Sequence, residues 1–350
     1  MLDNTPDRSA VEPTYFSCIS LPNMPSIPLS LECYFMFPGG NDTYITFSED
    51  ITRSQYSEFN RSIMSRYPHL EQGGFFERSE TGKAAIRLQM AGGEFCGNAT
   101  RAAAALLVKG MSIKATFLSL VNSDLVERQG GVTSFPMEVS GTEQILKVSC
   151  TEVSPCEWTV ETEIPVPRSD SLRDWIVLPD ATDTVPVIHL DGISHILLDE
   201  SLVPFDKDNY ESTVRVLLKH AGLDTKSAAG VIWYSQVGEA YTMNPVVYVR
   251  DINTCFYETS CGSGAAALAI QESMKTDAPN SSVYIVPPSG HSLQVRVHQE
   301  EGNRLHVWLK GMVEFRGIIV EQKSHQAPLH QPSGFPNQDS ALSGETAPPL

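Results

Sequence analysis

Two cysteines stand in the same local pattern 165 positions apart, Cys96 in "GEFCGNATRAAAALLV" and Cys261 in "ETSCGSGAAALAI". Each is followed by a glycine and a small polar residue, Gly97-Asn98 and Gly262-Ser263, and then by an alanine-rich, helix-like run. A thiol at the first turn of a helix meets unpaired backbone N–H groups and the positive end of the macrodipole. Both favour thiolate, so its pKa is expected to fall. The same amides bind an anion such as a substrate carboxylate, and the glycine leaves them uncovered. If two such thiols face one α-carbon from opposite sides, one thiolate removes the α-proton and the other thiol donates to the far face. No cofactor stores the charge in that step. The amides must then stabilise a carbanion- or enolate-like transition state, with water excluded. Cysteine is also a common small buried hydrophobe. The shared context argues for chemistry at Cys96 and Cys261; Cys18, Cys33, Cys150, Cys156 and Cys255 lack it and read as structural.

The elements that must position this pair alternate between strand and helix. "LECYFMF" and "TYITF" read as strands around the turn Pro38–Asp42. "SEDITRSQYSEFNRSIMSRYP" has helical spacing, with Ile51, Tyr56, Phe59 and Ile63 on one stripe, Ser48 as N-cap and Pro68 as stop. "GGFFER" and "AAIRLQM" are strands before Cys96, whose helix ends at Gly110; "KATFLSLV", "SFPMEVS", "QILKVSC" and "WTVETEIPV" are strands after it. The second half repeats the plan: "VPVIHLDGISHILLD" and "GVIWYSQ" around a helical "STVRVLLKHAG", then "NPVVYVRD", the Cys261 helix, and "SVYIVPPSG", "HSLQVRVHQ" and "RLHVWLKG". Two repeated α+β units, divided near 165–170, are the simplest account. Residues 1–30 read as an extension, and the Pro-, Ser- and Gln-rich 322–350 as a disordered tail.

Composition narrows the classes. The chain has 350 residues, 41% hydrophobic and 19% charged, a globular balance with length for one or two domains. A net charge of -17 without a Lys/Arg cluster argues against nucleic acid and against an anionic membrane surface. No run of 18 apolar residues predicts a membrane span, and the N-terminal stretch lacks the pattern of a signal peptide. Seven cysteines, an odd number without CxxC, fit free thiols in a cytoplasmic protein and no metal site.

"FCGNATRAAA" and "SCGSGAAALA", in that order, resemble the paired motifs of the diaminopimelate epimerase superfamily, the pyridoxal-phosphate-independent amino-acid racemases and epimerases. "PGGNDTYITF", "LEQGGFF", "DGISHILL" and "VWLKGMVEFRGII" are similar to further family segments, so the resemblance spans about residues 31–320. It implies an α+β fold of two pseudo-symmetric domains, 31–165 and 166–310, each a curved, mostly antiparallel sheet around a central helix. Strand 311–321 would return to the first domain, and the active site would lie in the cleft between them. It implies Cys96 and Cys261 as catalytic residues, and Asn41, Glu71, Gln72, Gly97, Asn98, His195, Glu258, Gly262 and Ser263 as substrate-binding positions. It further implies a small-molecule amino-acid substrate, no cofactor, and a homodimer. Each carried-over residue has a plain structural alternative: Asn41 as a turn former, Glu71 and Gln72 as solvated loop residues, His195 as a core histidine, Asn98 and Ser263 as caps. Glu258 reads equally as a residue that orients the turn, and Arg101 as an ion-pair partner.

Departures narrow the substrate. Met90, Ile252, Asn253 and Ala228 stand where diaminopimelate epimerase holds the distal end of its substrate with Asn, Glu, Arg and Asn. "MAGGEFCGNAT" and "ETSCGSG" are most similar to the histidine racemases that feed opine-metallophore synthesis, so histidine is the expected substrate. The competing expectations are diaminopimelate epimerase, a phenazine-biosynthesis-type isomerase with a carboxylate base, and a binding protein that sequesters an amino acid without turning it over.

Overall fold

The computed structural model describes residues 30–48, 51–111, 119–167, 172–179, 182–250, 253–276, 280–300 and 304–322. In chain order its elements are β1 (Ser30–Phe37), β2 (Thr43–Phe47), α1 (Arg53–Arg66), β3 (Gln72–Glu77), β4 (Ile86–Met90), α2 (Gly97–Met111), β5 (Glu127–Gln129), β6 (Val132–Val139), β7 (Leu146–Ser154) and β8 (Glu157–Ile164). They continue with β9 (Arg173–Val177), β10 (Thr184–Leu190), β11 (Ile193–Asp199), α3 (Tyr210–His220), β12 (Ala228–Val237), β13 (Ala240–Val249), β14 (Thr254–Tyr257), α4 (Gly262–Thr276), β15 (Asn280–Val286), β16 (Leu293–Gln299) and β17 (Leu305–Gln322). The fold is a mixed, sheet-dominated α+β structure.

One group of strands closes on itself: β1–β2–β3–β4–β6–β7–β8–β17 and back to β1. A second group runs β9–β10–β11–β12–β13–β15–β16 and joins the first through β17, with β14 against β13. A parallel pair needs a crossover connection, usually helical. Each helix lies in one: α1 between β2 and β3, α2 between β4 and β6, α3 between β11 and β12, α4 between β13 and β15.

The alanine-rich helices occupy the places where only small side chains fit. Every residue of α2 from Gly97 to Leu107 is buried, and the helix packs on β2, β3, β7 and β8. Gly262 to Gln271 of α4 are likewise buried, against β10, β11, β12, β15 and β16. Alanine gives the strongest helix propensity while letting strands approach closely. By contrast α3 is a surface helix that buries only Val214, Leu217 and Leu218, each contributing about 1.5–3 kcal/mol if fully removed from water.

Several local readings need correction. The cap of α1 is Thr52 rather than Ser48: Gln55 Oε1 accepts the Thr52 N–H at 3.0 Å, and Ile51 lies ahead of the helix. Helix α2 runs one residue past Gly110. Most of "KATFLSLV" lies outside the described residues, but Ser119 and Leu120 are helical rather than strand. The short strands β5, β9 and β14 escaped the pattern, and "VPVIHLDGISHILLD" is a hairpin, β10 and β11, turning at Asp191-Gly192. Arg101 forms no ion pair among the described residues. Its fully buried guanidinium donates to the Pro38 carbonyl at 2.7 Å, the Met312 carbonyl at 3.2 Å and Asn98 Oδ1 at 2.7 Å. Burial lowers its pKa to about 10, so the charge persists at neutral pH. Calls on 1–29 and 323–350 lie outside the described residues.

Candidate active site

Both cysteines are helix N-caps. The Cys96 carbonyl accepts the Thr100 N–H at 2.9 Å, and the Cys261 carbonyl accepts the Ala265 N–H at 3.0 Å, the first bonds of α2 and α4. The glycines after them let the two helix starts touch. A Cβ on Gly262 would fall 2.6 Å from Leu309 Cδ2 and 3.0 Å from Asn98 Oδ1; one on Gly97 would lie 3.8 Å from the Gly262 carbonyl carbon. The first-turn amides of both helices have no intrahelical acceptor. Residues of both helix starts, Cys96, Gly97, Cys261, Gly262 and Ser263, line one cavity of about 610 Å³. Phe95, Ile193, Ala228, Val247 and Phe256 supply its apolar wall.

The thiols do not carry the lowered pKa expected of helix N-caps. Burial pushes Cys96 up to about 12 and the nearby Glu258 charge adds to it; the Ala99 amide, 3.4 Å from Sγ, and the Gln72 side chain pull the other way and lose. Cys261 is raised well above the ordinary thiol range, by burial first and then by Glu258, against Ser263 and the Gly264 amide. A dipole contributes at most about 2 kcal/mol, less than the desolvation of a buried anion. Both thiols are therefore neutral at ordinary pH.

Three carboxylates share this space: Glu71, Glu94 and Glu258. Burial, and next the Glu71 charge, raise Glu258 to about 8, while the hydrogen bond from Cys261 lowers it. Glu258 and Cys261 are thus hydrogen-bonded, and the charge of either opposes ionisation of the other. Glu71, raised by burial, accepts both the hydroxyl and the amide of Thr259, the amide at 3.1 Å.

The structure divides the expected site residues into two sets. Asn41, Glu71, Gln72, Gly97, Glu258, Gly262 and Ser263 line the cavity with the cysteines. Asn98 and His195 do not. The Asn98 amide donates to the Ser260 carbonyl at 3.1 Å, and the amide of Asn41, a residue held at φ +60°, donates to the same oxygen at 3.2 Å. Gln72 Nε2 donates to Thr43 Oγ1 at 2.7 Å. His195 is wholly buried behind the wall, 2.9 Å from Ser263 Oγ, and burial depresses its pKa to about 3, so it stays neutral. Ser263 Oγ in turn lies 3.5 Å from Cys261 Sγ. Of the positions that depart from diaminopimelate epimerase, Ala228 and Asn253 line the cavity. Glu94 was missed, although it precedes Cys96 by two in the quoted motif; Thr259 and Ser260 were missed because their role is to be held from afar. Among the described residues no group of His, Cys, Asp and Glu is arranged to hold a metal. No helix there is long and apolar enough to cross a membrane.

The histidine racemase CntK N-terminal domain family matches residues 32–319. A histidine racemase of Fusobacterium nucleatum subsp. nucleatum is 26% identical over 287 residues, covering 82% of this chain and 94% of the relative. A histidine racemase of Staphylococcus aureus is 22% identical, covering 75% and 88%. Among solved structures, a hydroxyproline epimerase from Agrobacterium vitis with bound trans-4-hydroxy-L-proline shares the fold at a TM-score of 0.58 and 13% identity, over 83% of this chain and 92% of that one.

Proposed function

We propose that this chain, which belongs to the histidine racemase CntK N-terminal domain family, interconverts the L and D forms of an amino acid, histidine in the first place, by two-base chemistry at Cys96 and Cys261. One observation carries the reading: two N-cap cysteines, from helices in separate crossovers, line the same cavity. Residues 31–165 and 166–310 act as the two halves of the site, each placing a buried helix N-terminus at the cleft. The parallel crossovers of α1 and α2 in one half and of α3 and α4 in the other support that division.

The substrate carboxylate sits on the first-turn amides of α2 and α4, which also take up charge as the α-carbon is deprotonated. Its ammonium group brings a positive charge into a cavity whose thiols are neutral and whose carboxylates repel one another. That charge favours ionisation of a neighbouring thiol. The same charge lowers the pKa of Glu258, which gives its own proton to solvent and, as carboxylate, takes the Cys261 proton. The Cys261 thiolate then removes the α-proton from one face, and the Cys96 thiol returns a proton to the other. The reverse reaction exchanges the roles. The apolar wall excludes water that would otherwise solvate the thiolate.

Histidine fits the lining chemistry. Glu71, Glu94 and Glu258 face the bound molecule, which suits a side chain that donates N–H or carries positive charge. The distal carboxylate of diaminopimelate would meet repulsion there, and Arg61, exposed on α1, lies at the rim. The test is chiral analysis of single L-amino acids incubated with purified protein free of pyridoxal phosphate. Histidine is expected to racemise fastest; no change in any amino acid would remove the racemase reading.

A further inference from the structure

We propose that Glu94 is the residue that receives a cationic nitrogen of the bound amino acid, and so sets which amino acids the site accepts. The inference rests on the racemase reading and adds a specificity residue to it.

The argument is one of remaining acceptors. Of the three carboxylates in the cavity, Glu71 has both oxygens engaged by Thr259. Glu258 is hydrogen-bonded to Cys261 and, at about 8, is mostly uncharged at neutral pH. Glu94 differs from both. Its Oε2 is shielded from solvent and has no hydrogen-bond partner. Burial raises its pKa, while its own amide and that of Gly92 hold it back. A buried acceptor left without a donor is rare in native proteins and is explained when a ligand supplies the donor.

The carboxylate is also seated. A Cβ on Gly92 would fall 2.5 Å from Glu94 Oε2, so glycine at 92 is required for the side chain to lie where it does. The Ser140 hydroxyl donates to the Glu94 carbonyl at 2.7 Å and accepts the Met90 amide at 2.9 Å, which fixes the backbone on either side of the turn. The Glu94 charge reaches both Cys96 and Glu258, raising each. It therefore stands beside the reacting centre rather than at the rim.

Two nitrogens of one substrate share the required chemistry: the α-ammonium and a protonated side chain. The experiment separates them with L-histidine, L-imidazolelactate, which lacks the ammonium, and L-2-thienylalanine, which lacks the side-chain cation. Wild type and Glu94→Gln are compared for histidine KM and for inhibition by each analogue, with thermal unfolding as a control. Glu94→Gln is expected to weaken histidine by about tenfold or more, as for loss of a charge-assisted bond. If the loss persists with imidazolelactate and vanishes with thienylalanine, Glu94 binds the side chain; the converse assigns it to the ammonium. Gly92→Ala, which displaces the carboxylate without removing it, is expected to weaken histidine similarly, and decides the matter should Glu94→Gln fail to fold. Wild-type behaviour of both variants, or equal weakening of both analogues, would overturn the assignment. A wild-type protein that racemises nothing overturns the racemase reading instead.

Discussion

The side-chain amides of Asn41 and Asn98 converge on a single acceptor, the carbonyl oxygen of Ser260, at 3.2 and 3.1 Å. Ser260 directly precedes Cys261, so groups from the β1–β2 turn and from the start of α2 hold the thiol of α4 in place. Thr259 is gripped as well, by Glu71 and by the Asn41 amide at 2.7 Å. The position of one cysteine is thus set by the half of the molecule that carries the other.

Loss of that brace is expected to separate stability from catalysis. Asn98→Ala removes a buried donor and leaves Arg101 short of an acceptor, so unfolding free energy should fall by about 1–3 kcal/mol. Asn41→Ala keeps the backbone amide contact to Thr259 but places alanine at φ +60°, which asparagine tolerates better, so its cost should be of similar size. Denaturant unfolding alongside racemisation rates checks both. Activity should drop in each, with the drop in kcat rather than KM.

The contact between helix starts makes a second prediction. In Gly262→Ala the new methyl would meet Leu309 and Asn98, forcing α4 away from α2. Overpacking of this kind typically destabilises by about 1–3 kcal/mol. Racemisation should fall far more steeply than stability, since the amides proposed to bind the carboxylate lose their register. A variant with the wild-type rate would show that the close approach is not required.

Glu258 carries a pH prediction. Its pKa rises from the ordinary 4.5 to about 8 in the folded chain, first because it is buried and next because of Glu71. The folded state therefore binds a proton that the unfolded state has released. This group's contribution to stability is full below 4.5 and is lost as pH rises through about 8. Ligand-free protein should lose stability across that window, and Glu258→Gln should flatten the slope. Denaturation curves at either end of the window, for both proteins, provide the check.

Much of this architecture was legible in the residues because it is written locally. The Cys-Gly pair, the small polar residue and the alanine run identify a helix start wherever they occur, and their repetition paired the two thiols. The thiol pKa was misread because a helix dipole is a local property, whereas the burial that outweighs it comes from distant strands. Asn98 looked like a cap or a ligand, and only the fold shows the Ser260 carbonyl 162 residues away as its partner. His195 is expected from its segment as a substrate-binding position, but it lies outside the cavity lining, behind Ser263. Glu94, in a glycine-rich turn with no period, gave no signal of its own.

If Cys96 and Cys261 are the two bases, replacing either should divide the reaction into its halves. Cys96→Ser and Cys261→Ser are each expected to lower racemisation by about 10²–10⁴-fold, the usual contribution of a positioned acid or base. Each should retain slow exchange of the α-proton from only one enantiomer, opposite in the two variants. Equal residual exchange of both enantiomers would mean that one thiol serves both faces.

The most direct measurement is the fate of solvent deuterium early in the reaction. L-Histidine is incubated with the protein in D2O, and both enantiomers are recovered before much has converted. Two thiols on opposite faces predict that the D-histidine formed carries deuterium at the α-carbon while the remaining L-histidine does not. Deuterium appearing equally in both, or in neither, would contradict the account.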